Sequence, residues 1–153
     1  MAPAALRTTT YWALLVVASF SVLSAVVGGV GILATDGFGM PSTFLEGGPF
    51  DSFTWPGLIL LLVVGGSQGI ALGLLLARRE SALLWTAVAG FGMLIWIYIE
   101  TGLIGGNSPA QMLYFATGIL QLVGVCALLG IVTWVPRVPL RGVGRRLVAK
   151  QHA

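Results

Sequence analysis

The chain has 153 residues, 57% of them hydrophobic and 8% charged, with a mean hydropathy of +0.96 and a formal net charge of +3. Average soluble domains carry about 25% charged residues, so this composition excludes a water-facing globular surface. The basic balance does not point to nucleic acid, because the cations flank hydrophobic runs and no nucleic-acid motif accompanies them.

Residues 8–35, 52–77, 81–99 and 101–136 hold no charged side chain. A helix crossing ~30 Å of hydrocarbon needs roughly 20 mainly apolar residues. Each of the first three stretches supplies one crossing, and the fourth supplies one after a break at GGNSPA. The expected fold is all-α: a single integral membrane domain over 1–153, built as a four-helix transmembrane bundle.

Span one is expected over about 11–34 and is read as an uncleaved anchor, since its apolar stretch is long for a signal-peptide core. The connection 35–56 carries Asp36, Glu46 and Asp51 and no Lys or Arg, with four glycines and three prolines against a regular helix. A short turn at PSTFLE, capped by Ser42, is expected there. Its Phe and Trp residues suit the membrane interface.

Span two, about 57–77, follows Pro56, a helix-start arrangement. Gly65, Gly69 and Gly73 recur every four residues, giving two overlapping GxxxG units that permit close helix packing in lipid, within the bundle or against another copy. Span three is expected over 81–104 and span four over 110–134, followed by the basic tail 135–153. Cys126 in span four is read as a small packing residue.

All eight cations lie in the N-terminal tail (Arg7), the central hairpin (Arg78, Arg79) or the C-terminal tail (Arg137, Arg141, Arg145, Arg146, Lys150). An even number of crossings puts these segments on one side, and the positive-inside rule makes that side the cytoplasm. Both termini are thus expected inside, in a multi-pass protein of the bacterial plasma membrane. The tail cations are expected to rest on anionic inner-leaflet lipid.

Few polar groups remain inside the spans. Gln68 and Gln121 each lie about eleven residues from the outer end of their span, roughly 17 Å deep, where their amides can bond across the bundle or line a cavity. On span four, Tyr114, Thr117, Gly118, Gln121 and Gly124 share a stripe at helical spacing. Glu100 stands about 6 Å from the outer end of span three, with Trp96 one turn below. No cation is available on the outer half to pair it. Its carboxyl therefore reaches headgroup water, is protonated and hydrogen-bonded (Gln111 and Tyr114 being the nearest candidates), or meets a cationic ligand or another subunit. Intramembrane ionisable residues are functional candidates by default.

The order of features resembles a group of small four-span bacterial integral membrane proteins of unassigned function. The pattern is a PFxD loop leading into PGL, a WIxxE/Q near the end of span three, and LQxxYFxxG opening span four. It covers roughly residues 28–125 and falls on Pro49, Phe50, Asp51, Pro56, Gly57, Trp96, Glu100, Gln111, Tyr114, Phe115 and Gly118, with Ala110 where the pattern has Leu. The resemblance implies the fold and a membrane location but no activity. Its acceptance of Gln at position 100 argues against an obligatory proton carrier.

Two functions stand out. One is a non-enzymatic packing or accessory subunit, self-associating or joined to a larger membrane complex. The other is a lipid or small-molecule binding or transport protein, with an outward pocket at Glu100, Gln111, Tyr114, Gln121 and Gln68. For an enzyme, no Ser-His-Asp set, HExxH or phosphate loop is present, and Glu46, Asp51 and Glu100 form only a loose acid group. One cysteine and one histidine, His152, leave any metal site to carboxylates, so no metal or cofactor is expected.

Overall fold

The computed structural model describes residues 4–46, 48–104 and 108–130. Among these, four helices are long and apolar enough to cross a membrane. Residues 131–134, expected in span four, the basic tail 135–153 with its lipid contacts, and residues 105–107 of the third turn lie outside the described residues.

Span one is a continuous helix, Ala4–Thr35, about 48 Å long at 1.5 Å per residue. Arg7 is therefore helical, in the first turn. The helix stops where Asp36, Gly37, Phe38 and Gly39 all take positive φ. Gly37 is confined to glycine twice over: its φ is +118°, and a Cβ there would meet the Phe53 ring at 2.7 Å.

Span two begins at Thr54, earlier than expected, with Pro56 in its first turn. The first four amides of a helix have no intrahelical acceptor, so the missing N–H of Pro56 costs nothing there. The span is not uniformly α-helical: Ile59–Gly65 winds as a π-helix before the α-helix Gly66–Leu76 resumes. Such stretches are rare and periodicity does not announce them. The wide turn lies where Gly28 and Gly29 of span one let Leu60 and Leu61 approach. A Cβ on Gly29 would stand 2.8 Å from that of Leu61.

The span closes with Arg78 in the left-handed region at φ +50°. Arg79 N–H donates to the Leu74 carbonyl and Arg78 N–H to that of Leu75, a Schellman closure without glycine.

Span three is the helix Ala82–Ile104 and span four the helix Pro109–Leu129. Span four opens on a capping box: Ser108 Oγ accepts from the Gln111 amide, and Gln111 Oε1 accepts from the Ser108 amide. Gly130, at φ +68°, caps its end.

Around the bundle, span one neighbours spans two and four, and span three neighbours the same two. Spans two and four therefore face each other across a diagonal. Spans three and four meet closely at two glycines, where a Cβ on Gly118 would stand 3.0 Å from the Gly90 carbonyl oxygen. A Cβ on Gly124 would stand 2.7 Å from Leu14 of span one.

The interior has two apolar layers, Leu14, Leu15, Ala18, Leu75 and Ala82 toward the arginine end, and Ala25, Val64, Met93 and Ile97 toward the other. The exterior is apolar too, with Val16, Leu62 and Tyr98 among its exposed side chains. Such a surface suits lipid and not water.

The tandem glycine motif behaves unlike its sequence suggests. Gly65 packs on Ala25, but a Cβ at Gly69 or Gly73 would meet nothing within 4 Å. Packing inside the bundle accounts for the first glycine only. Cys126 is exposed, so it is no packing residue within the bundle.

Candidate functional site

The five polar residues expected around one pocket divide into two groups. Gln68 and Gln121 are fully buried and bonded to each other across the diagonal. Gln68 Nε2 donates to Gln121 Oε1 at 3.1 Å, and Gln121 Nε2 donates to Gln68 Oε1 at 2.7 Å. Gln68 Nε2 also reaches the Ala89 carbonyl of span three at 3.3 Å. This ring of amides ties three spans together, with the buried Thr86 hydroxyl turned back onto the Ala82 carbonyl. With both amide oxygens occupied, the pair is internal glue.

The second group is different. Glu100, Gln111 and Tyr114 line a cavity of about 140 Å³ among all four spans, with Ser21, Ser24, Met93 and Trp96. A smaller space of about 70 Å³ lies on the other side of Glu100 and Trp96, under the loop residues Met40, Phe44, Leu45, Phe50 and Phe53. Glu100 thus stands between two cavities instead of on the lipid-facing rim. Its side chain makes no hydrogen bond or ion pair with any described residue.

Neither partner expected for Glu100 bonds to it. Gln111 spends its oxygen on the helix cap, and the Tyr114 ring stacks on Phe20 with centroids 5.8 Å apart and planes inclined by 20°. Ser21 supplies what sequence reading missed. Its Oγ is fully buried, lines the same cavity, and has no hydrogen-bond partner among the described residues. A serine within a long apolar helix carries no sequence mark of this, because serines there usually bond a carbonyl one turn back, as Ser24 does to Phe20. Buried hydroxyls without partners are uncommon, and each asks for a missing occupant.

The loop 36–53 forms the roof. Its short turn exists as a 3-10 helix, Ser42–Leu45, but Pro41 occupies the cap position and no side chain caps it; Ser42 is the first helical residue. Phe53 is buried, while Phe44 and Phe50 are half-buried over Trp96 and Glu100. Only part of the aromatic set faces outward, Phe38 and Trp55 being exposed. The buried and half-buried members of the set cover the bundle mouth, which removes their apolar surface from water.

Glu46 and Asp51 are exposed and line neither cavity beside Glu100. What the site offers is a carboxyl, the hydroxyls of Ser21, Ser24 and Ser108, and a phenol, beside the rings of Trp96 and Tyr114. That set can hold a small polar or cationic group through hydrogen bonds, charge and ring faces. Comparison with protein-family models, curated proteins and solved structures found no match for this chain.

Proposed function

We propose that the protein is a small, non-enzymatic, multi-pass protein of the bacterial plasma membrane, with both termini cytoplasmic, that binds a small polar or cationic molecule in the cavity beside Glu100. The observation that carries this reading is the pairing of an unpartnered carboxyl with the orphaned Ser21 hydroxyl in one cavity. Exposed Ser108 and Ala110, at the start of span four, also line it. The test is mild-detergent purification followed by mass spectrometry of co-purified small molecules and lipids, wild type against Glu100→Gln. A ligand retained by the wild type and lost from the variant supports the reading. Equal retention by both removes it.

A second reading, a packing or accessory subunit, is favoured by the bare groove at Gly69 and Gly73, where no side chain of the bundle fills the space. Small residues exposed on a lipid-facing helix permit close approach of another helix. The same purification separates the readings, because Gly69→Leu then removes a protein partner or a second copy and leaves the Glu100 ligand in place.

A further inference from the structure

The opposite end of the bundle carries a second polar cleft, of about 400 Å³, which neither reading above uses. Three of the chain's eight cations line it: Arg7 from span one, and Arg78 and Arg79 from the closure of span two. No ion pair joins any of the three to a described carboxylate. Glu80, the acid next in sequence, is exposed and does not line the cleft.

Arg78 is held in place. Its guanidinium lies over the Tyr11 ring, 5.4 Å from the centroid, and the Tyr11 hydroxyl donates to the Leu75 carbonyl at 2.9 Å. That bond fixes the ring under the guanidinium, which thus lies against span one. Planar guanidinium groups match phosphate oxygens with paired N–H donors, and no described carboxylate competes for these three.

The surroundings specify the rest of the ligand. Leu75, Leu83 and Leu128 line the same cleft. Trp12, exposed and edge-on to Tyr11 at 5.9 Å, marks the level where aromatic side chains sit between headgroups and hydrocarbon. A shallow apolar surface shares Thr8 and Trp12 with the cleft and continues along span one past Ala13 and Val16. A cationic mouth leading into a greasy furrow fits a molecule with an anionic head and a hydrocarbon tail.

We propose that this cleft binds one anionic phospholipid, its phosphate held by Arg7, Arg78 and Arg79 and an acyl chain along Trp12 and Val16. The site is separate from the diffuse attraction expected of the basic tail.

Native mass spectrometry of the full-length protein in mild detergent tests it, with dioleoyl phosphatidylglycerol, dioleoyl phosphatidylcholine and inorganic phosphate as separate probes. The expected result is one phosphatidylglycerol per chain, bound ahead of phosphatidylcholine and not displaced by equimolar phosphate. Arg-to-Gln changes at all three positions should weaken that binding on the order of 100-fold, about fivefold for each charge. Neutralising Arg137, Arg141, Arg145, Arg146 and Lys150 together should leave the single tight site. Equal binding of the two lipids, unchanged binding by the triple variant, or phosphate alone saturating the site as tightly as the lipid would each overturn the proposal.

A measurement on otherwise wild-type protein guards against a misfolded triple variant. Chain-brominated phosphatidylglycerol at equimolar ratio should quench tryptophan emission more than brominated phosphatidylcholine, and Trp12→Phe should remove the difference. No difference between the lipids in the wild type overturns the acyl-chain placement.

Discussion

Gln68 and Gln121 exchange two hydrogen bonds through the centre of the bundle, and Gln68 makes a third to the Ala89 carbonyl. The two residues are not equivalent, and this asymmetry predicts the order of their variants. Gln68→Leu strands the Gln121 amide completely, whereas Gln121→Leu leaves Gln68 its bond to Ala89. A buried amide without a partner costs about 1–3 kcal/mol, so both single variants are destabilised and Gln68→Leu more so. The double Leu variant strands no amide and should cost less than the sum of the two. Reversible unfolding in mixed micelles checks the cycle. Strict additivity would show that the pair is not coupled.

The glycines divide by what they touch. At Gly118 a Cβ would stand 2.9 Å from Leu94 and 3.0 Å from the Gly90 carbonyl, which is backbone and cannot swing aside. Gly118→Leu should separate spans three and four and cost several kcal/mol, beyond the ~1–3 kcal/mol of ordinary overpacking. At Gly69 nothing stands within 4 Å, so Gly69→Leu should leave the unfolding midpoint of the monomer within about 0.5 kcal/mol of wild type. Unfolding curves and particle mass in mild detergent distinguish loss of the fold from loss of a partner. A Gly69→Leu monomer as unstable as Gly118→Leu would contradict the open groove.

These two sets of residues also show what the sequence made legible. Of the span-four stripe, Thr117, Gly118, Gln121 and Gly124 are buried and Tyr114 is half-buried, as one α-helix keeps one phase throughout. In span two the packed face runs through Gly65, Gln68, Ala71 and Leu75, whereas a strict four-residue repeat drifts about 40° per step around an α-helix, so the glycine repeat leaves that face after Gly65. Glu100 was conspicuous as the one acid in a span. Its cavity was not, because Ser21 lies far off in sequence and only the bundle brings it near. The diagonal partner of Gln68 followed from equal depth in two spans, whereas the capping role of Gln111 depends on the turn at Ser108.

Arg7 and the Arg78–Arg79 pair line one cleft, while Phe44 and Phe50 of the acidic loop roof the opposite end, so the chain has a cationic end and an acidic end. Cytoplasmic placement of the cationic end predicts a simple labelling pattern. In a Cys126→Ser background, Asp51→Cys should react with a membrane-impermeant maleimide in intact cells. Arg79→Cys should react only after permeabilisation. The reverse pattern would invert the proposed orientation and move the Glu100 cavity to the cytoplasmic side.

Ser21 and Glu100 give the sharpest test of the cavity, because their removal acts on stability in different ways. The Ser21 hydroxyl is buried without a partner among the described residues, a state that costs about 1–3 kcal/mol when no ligand or water satisfies it. Ser21→Ala should therefore raise the unfolding midpoint of protein stripped of small molecules. Glu100→Gln keeps the shape of the side chain, leaves no bond broken among the described residues, and should fold as the wild type does. Loading with the co-purified ligand should stabilise the wild type by an amount that grows with the logarithm of ligand concentration above its dissociation constant, since a ligand of the native state shifts unfolding by mass action. Both variants should lose most of that shift, Glu100→Gln through the missing charge and Ser21→Ala through the missing donor. Thermal unfolding of the three proteins with and without ligand reads all of this in one series. A shift retained in full by both variants would place the ligand elsewhere, and a less stable stripped Ser21→Ala would show that the hydroxyl already has a partner inside the protein.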